Sequence, residues 1–187
     1  MIAYKGFNKN LTCTMGHGAF QYEVGKTYKE EKAQCAHTGF HCVEEPLDVL
    51  SWYFADDSRY CVVKVSGDIH EDGNDKISCS EMTILQEITL QQLGALECKW
   101  LQKHPERKGS RNLRIEEGYA GTGKIVVVRG KHPKAAGGKG ATLFLLKEEK
   151  DSREIEEIGI FEIDGEEYLP NVYYRVDGRR SRCGKRN

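Results

Sequence analysis

The sequence predicts an α+β fold: an N-terminal mixed lobe of strands with two helices, then a C-terminal antiparallel β meander. Three observations predict it. RYCVVKVSG (59–67) alternates apolar and polar residues, the period of a half-buried strand. Leu93, Leu96 and Trp100 recur at the spacing of one helical face. From 141 onward ATLFLLKEE, EIGIFEIDG and NVYYRVDG are separated by turns at Lys150-Asp151, Asp164-Gly165-Glu166 and Asp177-Gly178, the punctuation of a meander.

The elements follow in chain order. IAYKGF (2–7) reads as a first strand, and FQYEVGKTY (20–28) as extended chain with a glycine turn. CAHTGFHCV is strand-like up to Val43. Glu44, Glu45 and Pro46 then suit a helix first turn, with acids at the positive dipole end and Pro at the first helical position. Leu47, Leu50 and Phe54 would form its apolar stripe, with Trp52 buried beside it. HEDGND (70–75) is an acidic turn. KISCSEMTILQEITL gives a strand from about 76 that passes into a helix after about 88, ended by His104-Pro105. Gly94 weakens that helix by about 1 kcal/mol relative to Ala. These readings divide the chain into a lobe over 1–104, a Gly- and cation-rich connecting segment over 105–140, the meander over 141–178 and a basic tail over 179–187.

The 187 residues suffice for one domain or two small ones, and 39% apolar content supports a core. A net charge of −1 supplies no global field toward nucleic acid or membrane. MIAYKGFNKNL lacks the apolar centre of a signal peptide, and no run approaches a membrane span. Seven cysteines without a secretory signal favour reduced thiols, so a cytoplasmic location is expected.

GYAGTGK (118–124) has the spacing of a phosphate-binding loop. Ile125 stands where such a loop places a metal-holding hydroxyl, and IVVVRG reads as a strand, not a helix N-terminus. A glycine turn between two short strands is therefore expected. Cys35, His37, His41 and Cys42 are potential zinc ligands, but their spacing is too compressed for a tetrahedral site, and no metal or cofactor is expected. A nucleophilic pair of Cys42 or Cys61 with His41 or His17 would need a depressed thiol pKa; buried core cysteine is the simpler reading. Asp68, Glu71, Asp72 and Asp75 lack the spacing of a calcium loop. Two basic stretches could meet a phosphate backbone. One runs from Lys99 and Lys103 through Arg107, Lys108, Arg111 and Arg114; the other is the tail with Arg179, Arg180, Arg182, Lys185 and Arg186.

YKGFN, AFQYEVGKTY, GFHCVEEPLDVLSWY and SRYCVVKVSGD resemble a family of uncharacterised proteins frequent in phages and prophages, known only as a domain of unknown function. GKHPKAAGGKGATLFLLKE and IFEIDGEEYLPNVYYRVDG look like its closing β segment. Members usually carry a Gly/Ala/Ser-rich stretch that looks solenoid-like, and GYAGTGKIVVVRGKHPKAAGGKGA resembles a shortened remnant of it. A weaker likeness is to the core of ADP-ribosyltransferases, NAD-using enzymes. It would give Glu81 or Glu87 the late-Glu role and place Tyr53 or Tyr60 against nicotinamide, while IAYKGF offers only Tyr4 and Lys5 where that family has an early His or Arg.

The phage resemblance implies a non-enzymatic accessory protein that acts by binding in a bacterial cytoplasm. Its expected partner is a host protein or ribonucleoprotein, as for an anti-CRISPR inhibitor of a defence nuclease. RNA or DNA backbone contacts are expected through Arg107, Lys108, Arg111, Arg114, Arg179, Arg180 and Arg182. An ADP-ribosyltransferase-like enzyme is the alternative, and a virion or host-takeover structural protein the third reading.

Overall fold

A computed structural model describes residues 1–14, 18–35, 37–71 and 75–181. The chain forms two compact units, Met1–Thr89 and Leu90–Asn187. Strand outweighs helix, 51% to 11%, so the class is mostly β, not α+β.

The first unit is built on antiparallel strands β1 (Ile2–Asn8), β6 (Ser58–Glu71), β7 (Ile77–Ile88) and β4 (Thr27–Lys29), paired in that order, with β5 (Phe40–Cys42) also on β7. A small hairpin joins β2 (Thr12–Thr14) to β3 (Ala19–Gln21). Just past β5, Val43 exchanges both backbone hydrogen bonds with Tyr4, at 2.8 and 2.9 Å. That bridge closes β1, β6, β7 and β5 into a ring. Period-two alternation fills the ring: Ala3, Phe7, Val63, Val65, Met82 and Ile84 are buried, while Lys64 between two of them is exposed. Cys13, Cys35, Cys42, Cys61, Cys79 and Cys98 are buried and form no disulfide.

The helix expected from Pro46 is a six-residue 3₁₀ turn, Pro46–Ser51. Glu45 at its N-cap makes no side-chain cap, and such turns rarely run longer. The expected stripe therefore breaks: Leu47 is 2% exposed, but Phe54, beyond the turn, is 75% exposed. Trp52, expected to be buried, is 45% exposed for the same reason.

The second unit opens with α1 (Leu90–Lys103), the one α-helix among the described residues. It buries Leu93, Cys98, Trp100 and Leu101. Gly94 touches Phe144: an added Cβ would lie 2.5 Å from the ring. The glycine that weakens the isolated helix is thus the one that admits the aromatic. Gly94→Ala is expected to destabilise the unit by about 1–2 kcal/mol, because overpacking outweighs the propensity gain of about 1 kcal/mol. Denaturant unfolding followed on Trp100 measures it; a stabilised variant would show that Phe144 moves aside freely.

After α1 come β8 (Arg114–Ala120), β9 (Ile125–Gly137), β10 (Thr142–Glu148), β11 (Ile155–Glu162), β12 (Tyr173–Arg175) and β13 (Arg180–Ser181). The expected antiparallel meander is not formed. β11 lies antiparallel on β10, but β10 runs parallel to β9, and β12 lies antiparallel on β9 instead of on β11. Alternation specifies which face of a strand is buried and leaves its neighbour open.

The register shows why the pairing is parallel. Glu117 pairs with Lys134 and Ala120 with Gly137; Ile125 pairs with Thr142 and Gly130 with Lys147. Each partner stands 17 positions further on, so EGYAGTGKIVVVRG lies over KAAGGKGATLFLLK as two stacked rungs. Inward positions match in kind: Ala120, Val126 and Val128 on one rung, Leu143 and Leu145 on the next, all buried. The turns stack as well. Gly138 approaches Thr122 so closely that a Cβ there would sit 2.6 Å from its hydroxyl oxygen. The glycine turn expected at 121–124 thus joins β8 to β9 within a coil.

Candidate functional site

The first basic stretch is an exposed strip of the second unit. Lys99 and Lys103 stand one helical turn apart on α1, Arg107, Lys108 and Arg111 follow in the loop, and Arg114 opens β8; all six side chains are exposed. The loop is held from beneath by Arg129, which is 1% exposed. Its guanidinium pairs with Glu148 at 2.6 Å and donates to the carbonyls of Arg107 at 2.9 Å, Arg153 at 3.0 Å and Pro105 at 3.3 Å. Buried Ser110 pins the loop further, accepting from the Asn112 N–H and, through its carbonyl, from the Leu113 N–H. His104 stacks 4.6 Å from Trp100, and the Arg107 guanidinium stands 5.9 Å from the same ring.

The second stretch is placed differently. Arg179 and Arg180 are exposed on the β12–β13 hairpin, where Arg180 pairs with Tyr174 and Arg179 lies 3.7 Å from the Asp177 carboxylate. Arg182, Lys185 and Arg186 lie outside the described residues.

A further site was not read from the sequence: a cleft of about 520 Å³ in the first unit. Its lining includes Lys5, His41, Trp52, Tyr53, Phe54 and Lys76. Tyr53 packs directly on Gly6, where a Cβ would come within 2.5 Å of the ring. Lys5 is 4% exposed; its Nζ donates to the His41 carbonyl at 2.7 Å and stands 5.2 Å from the Tyr22 ring centroid. Lys76 Nζ lies 3.6 Å over Trp52. No local sequence signal marks this cleft, because its walls come from five separate stretches of chain, within 4–8, at 14, within 41–43, within 49–58 and at 76.

Of the residues that the enzyme likeness singled out, Tyr4, Lys5 and Tyr53 line the cleft, whereas Tyr60, Glu81 and Glu87 do not. Buried Tyr60 donates its hydroxyl to the Tyr53 carbonyl at 3.0 Å. Glu87 is held by Arg59 at 2.6 and 2.7 Å, and that pair lowers its pKa. Glu81 pairs with Lys29 at 3.2 Å.

The thiols are core groups. Burial pushes the Cys61 thiol up to about 12. Cys42 is raised by its hydrogen bond with Cys79 and by burial; the same bond lowers Cys79, and Lys5 adds to that lowering. Cys35 and Cys42 point into the interior while His37 is exposed, so the four candidate zinc ligands do not converge. Among the described residues no group of three or more His, Cys, Asp or Glu is placed to hold a metal. Of the acidic-turn residues, Asp68 accepts from the Ala33 N–H at 3.2 Å, Glu71 and Asp75 are exposed, and Asp72 lies outside the described residues, as does His17. No described helix is long and apolar enough to cross a membrane.

No curated protein and no solved structure matches the chain. A family model does match, over residues 1–96, which contain every wall of the cleft and all of the first unit. That match spans just over half of the 187 residues, and the chain therefore belongs to the family described as a domain of unknown function, DUF7666.

Proposed function

We propose that the protein acts by binding, and that its partner is an RNA-bearing host particle of the kind a defence-nuclease inhibitor meets. One observation supports this reading above the others: Arg129 grips the backbone of the loop that displays the cations. Its donors go to the carbonyls of Pro105 and Arg107, so the side chains of Arg107, Lys108, Arg111 and Arg114 start from a fixed frame. Less ordering entropy then opposes each phosphate contact. Lys99, Lys103, Lys108 and Arg114 form no ion pair among the described residues, so their charge remains available to a partner. With a net charge of −1, attraction must be local and sensitive to salt.

Anisotropy with a labelled single-stranded RNA tests this. Affinity should fall with salt with a log–log slope of about −3, as expected for four neutralised phosphates on a single strand. Reversing Arg107, Lys108, Arg111 and Arg114 to Glu should weaken binding by at least about 100-fold. Those changes leave the carbonyls that Arg129 holds, so the variant should fold. Deleting 179–187 should weaken binding only a few-fold, about the loss expected for flexible contacts. A folded, charge-reversed protein that binds at wild-type strength would refute the proposal.

A further inference from the structure

The strands of the second unit's coil present an outward face as well as a core. Ala120, Ala135 and Tyr174 point into the core. Their neighbours alternate to the other side, so Tyr119, Ala136 and Tyr173 share one outward row, and Glu117, Lys134 and Arg175 the next. Lys134 and Ala135 pair with β8 along one edge of β9 and with β12 along the other. Tyr119 is 52% exposed, and its hydroxyl donates to Asn171 Oδ1 at 2.7 Å. Asn171 stands just ahead of β12, so the tyrosine ring reaches across β9. Its register partner on β9 is Ala136, which is 0% exposed although it points outward. The ring therefore lies flat on the sheet, with one face on Ala136 and the other open to solvent. The hydroxyl pin fixes this orientation, so little ordering opposes a ligand that stacks on it.

The charges around the ring favour an anion. Lys134 offsets Glu117 at 3.0 Å, and Asp177 stands 3.5 Å from Arg175 and 3.7 Å from Arg179. Arg180, exposed opposite Tyr174, makes no ion pair among the described residues. Beyond Ser181 the sequence continues RCGKRN, with three cations and no acid.

We propose that this face binds a single-stranded nucleic acid by stacking one of its bases on Tyr119, with Arg175 and Arg180 drawing the strand to the sheet. An aromatic ring accepts the π face of any base, so the contact carries little sequence preference. The base must be unpaired, because a duplex keeps its base faces stacked on one another. β8 connects this face to the basic strip: Arg114 opens it, and Tyr119 stands about 16 Å further along at the rise of a strand. The strip meets phosphates and the tyrosine meets a base, so the stacking contact does not rest on the strip.

Anisotropy on the whole chain tests it, with a labelled single-stranded RNA of about ten nucleotides and an abasic strand of the same length. The abasic strand should bind the wild type about tenfold more weakly. Tyr119→Leu, a change at an exposed ring, should lose about tenfold on the natural strand and nothing on the abasic one, with the salt slope unchanged. Tyr119→Phe keeps the ring and should stay within about threefold of the wild type. A single 2-aminopurine in an otherwise abasic strand should be quenched by the wild type and not by Tyr119→Leu. Equal binding of both strands to the wild type, with loss on reversing Arg107, Lys108, Arg111 and Arg114, would remove the stacking contact and leave the strip. Wild-type affinity after that reversal, with loss in Tyr119→Leu, would remove the strip and leave the stacking contact. The proposal is overturned if the natural strand does not bind at about 1 mM, or binds no better than the abasic one. It is likewise overturned if Tyr119→Leu matches the wild type on the natural strand. A neutral glucan oligosaccharide that binds more tightly than the RNA, and is lost in Tyr119→Leu, would also overturn it.

Discussion

Arg129→Met should cost the second unit about 3–5 kcal/mol, the range for breaking a buried ion pair from one side. Methionine fills similar space, so the loss is electrostatic more than steric. It leaves the Glu148 carboxylate, 14% exposed, without its cation. It also strips a donor from each of three carbonyls, those of Pro105, Arg107 and Arg153. An unsatisfied buried acceptor costs about 1–3 kcal/mol, and the partial exposure of these groups keeps the sum below simple addition. Denaturant unfolding in a Trp52→Phe background isolates Trp100 as reporter of this unit. A loss under about 1 kcal/mol would mean that water replaces the guanidinium without penalty. The same variant should weaken RNA binding although it removes none of the exposed cations, because the loop that presents them loses its anchor.

Tyr174→Ala should be nearly as damaging, at about 3–5 kcal/mol for truncating a buried aromatic. Tyr174 is 1% exposed and sits on β12, which lies against the second rung at Ala135. Its ring meets Tyr168 edge-on at 5.0 Å, and its hydroxyl accepts from the Leu169 N–H at 2.6 Å. Stacked coils need closed ends, since an uncovered rung leaves backbone donors and apolar side chains to solvent. Tyr174→Phe separates the two contributions: it keeps the ring and should cost only about 1 kcal/mol for the lost hydrogen bond. If Ala and Phe cost the same, the ring does not seal the coil.

Several elements were legible because their signal is local. Alternation in RYCVVKV marks β6, and Leu93 with Trp100 marks α1 up to His104-Pro105. The basic strip is visible as charge alone. The resemblance to a shortened solenoid-like stretch pointed to this segment, but the register of the rungs was not legible, because their repeat is one of residue kind: Val126 lies over Leu143 and Val128 over Leu145. Nothing marks Arg129 as buried beyond a cation at the end of IVVVR, and Glu148, its partner, stands among the exposed-looking acids of KEEK. Lys5 reads as the polar residue of an edge strand until ring closure turns it inward. The turn at Pro46 carried the acids and the proline of a helix start but no side-chain cap, and it ended as a short 3₁₀ turn, which left Trp52 and Phe54 uncovered.

The stacked rungs have one more consequence, for how such a chain changes size. Parallel strands sit about 4.8 Å apart, so each further copy of a rung would lengthen this segment by about that distance while its closing strands stayed the same. A 17-residue duplication placed after Gly130 repeats the offset that relates Glu117–Ala120 to Lys134–Gly137 and Ile125–Gly130 to Thr142–Lys147, and so keeps their inside–outside positions. Length here is quantised: the segment can grow or shrink only in whole steps, like a ruler cut at its marks, and relatives of different span should differ by multiples of one step.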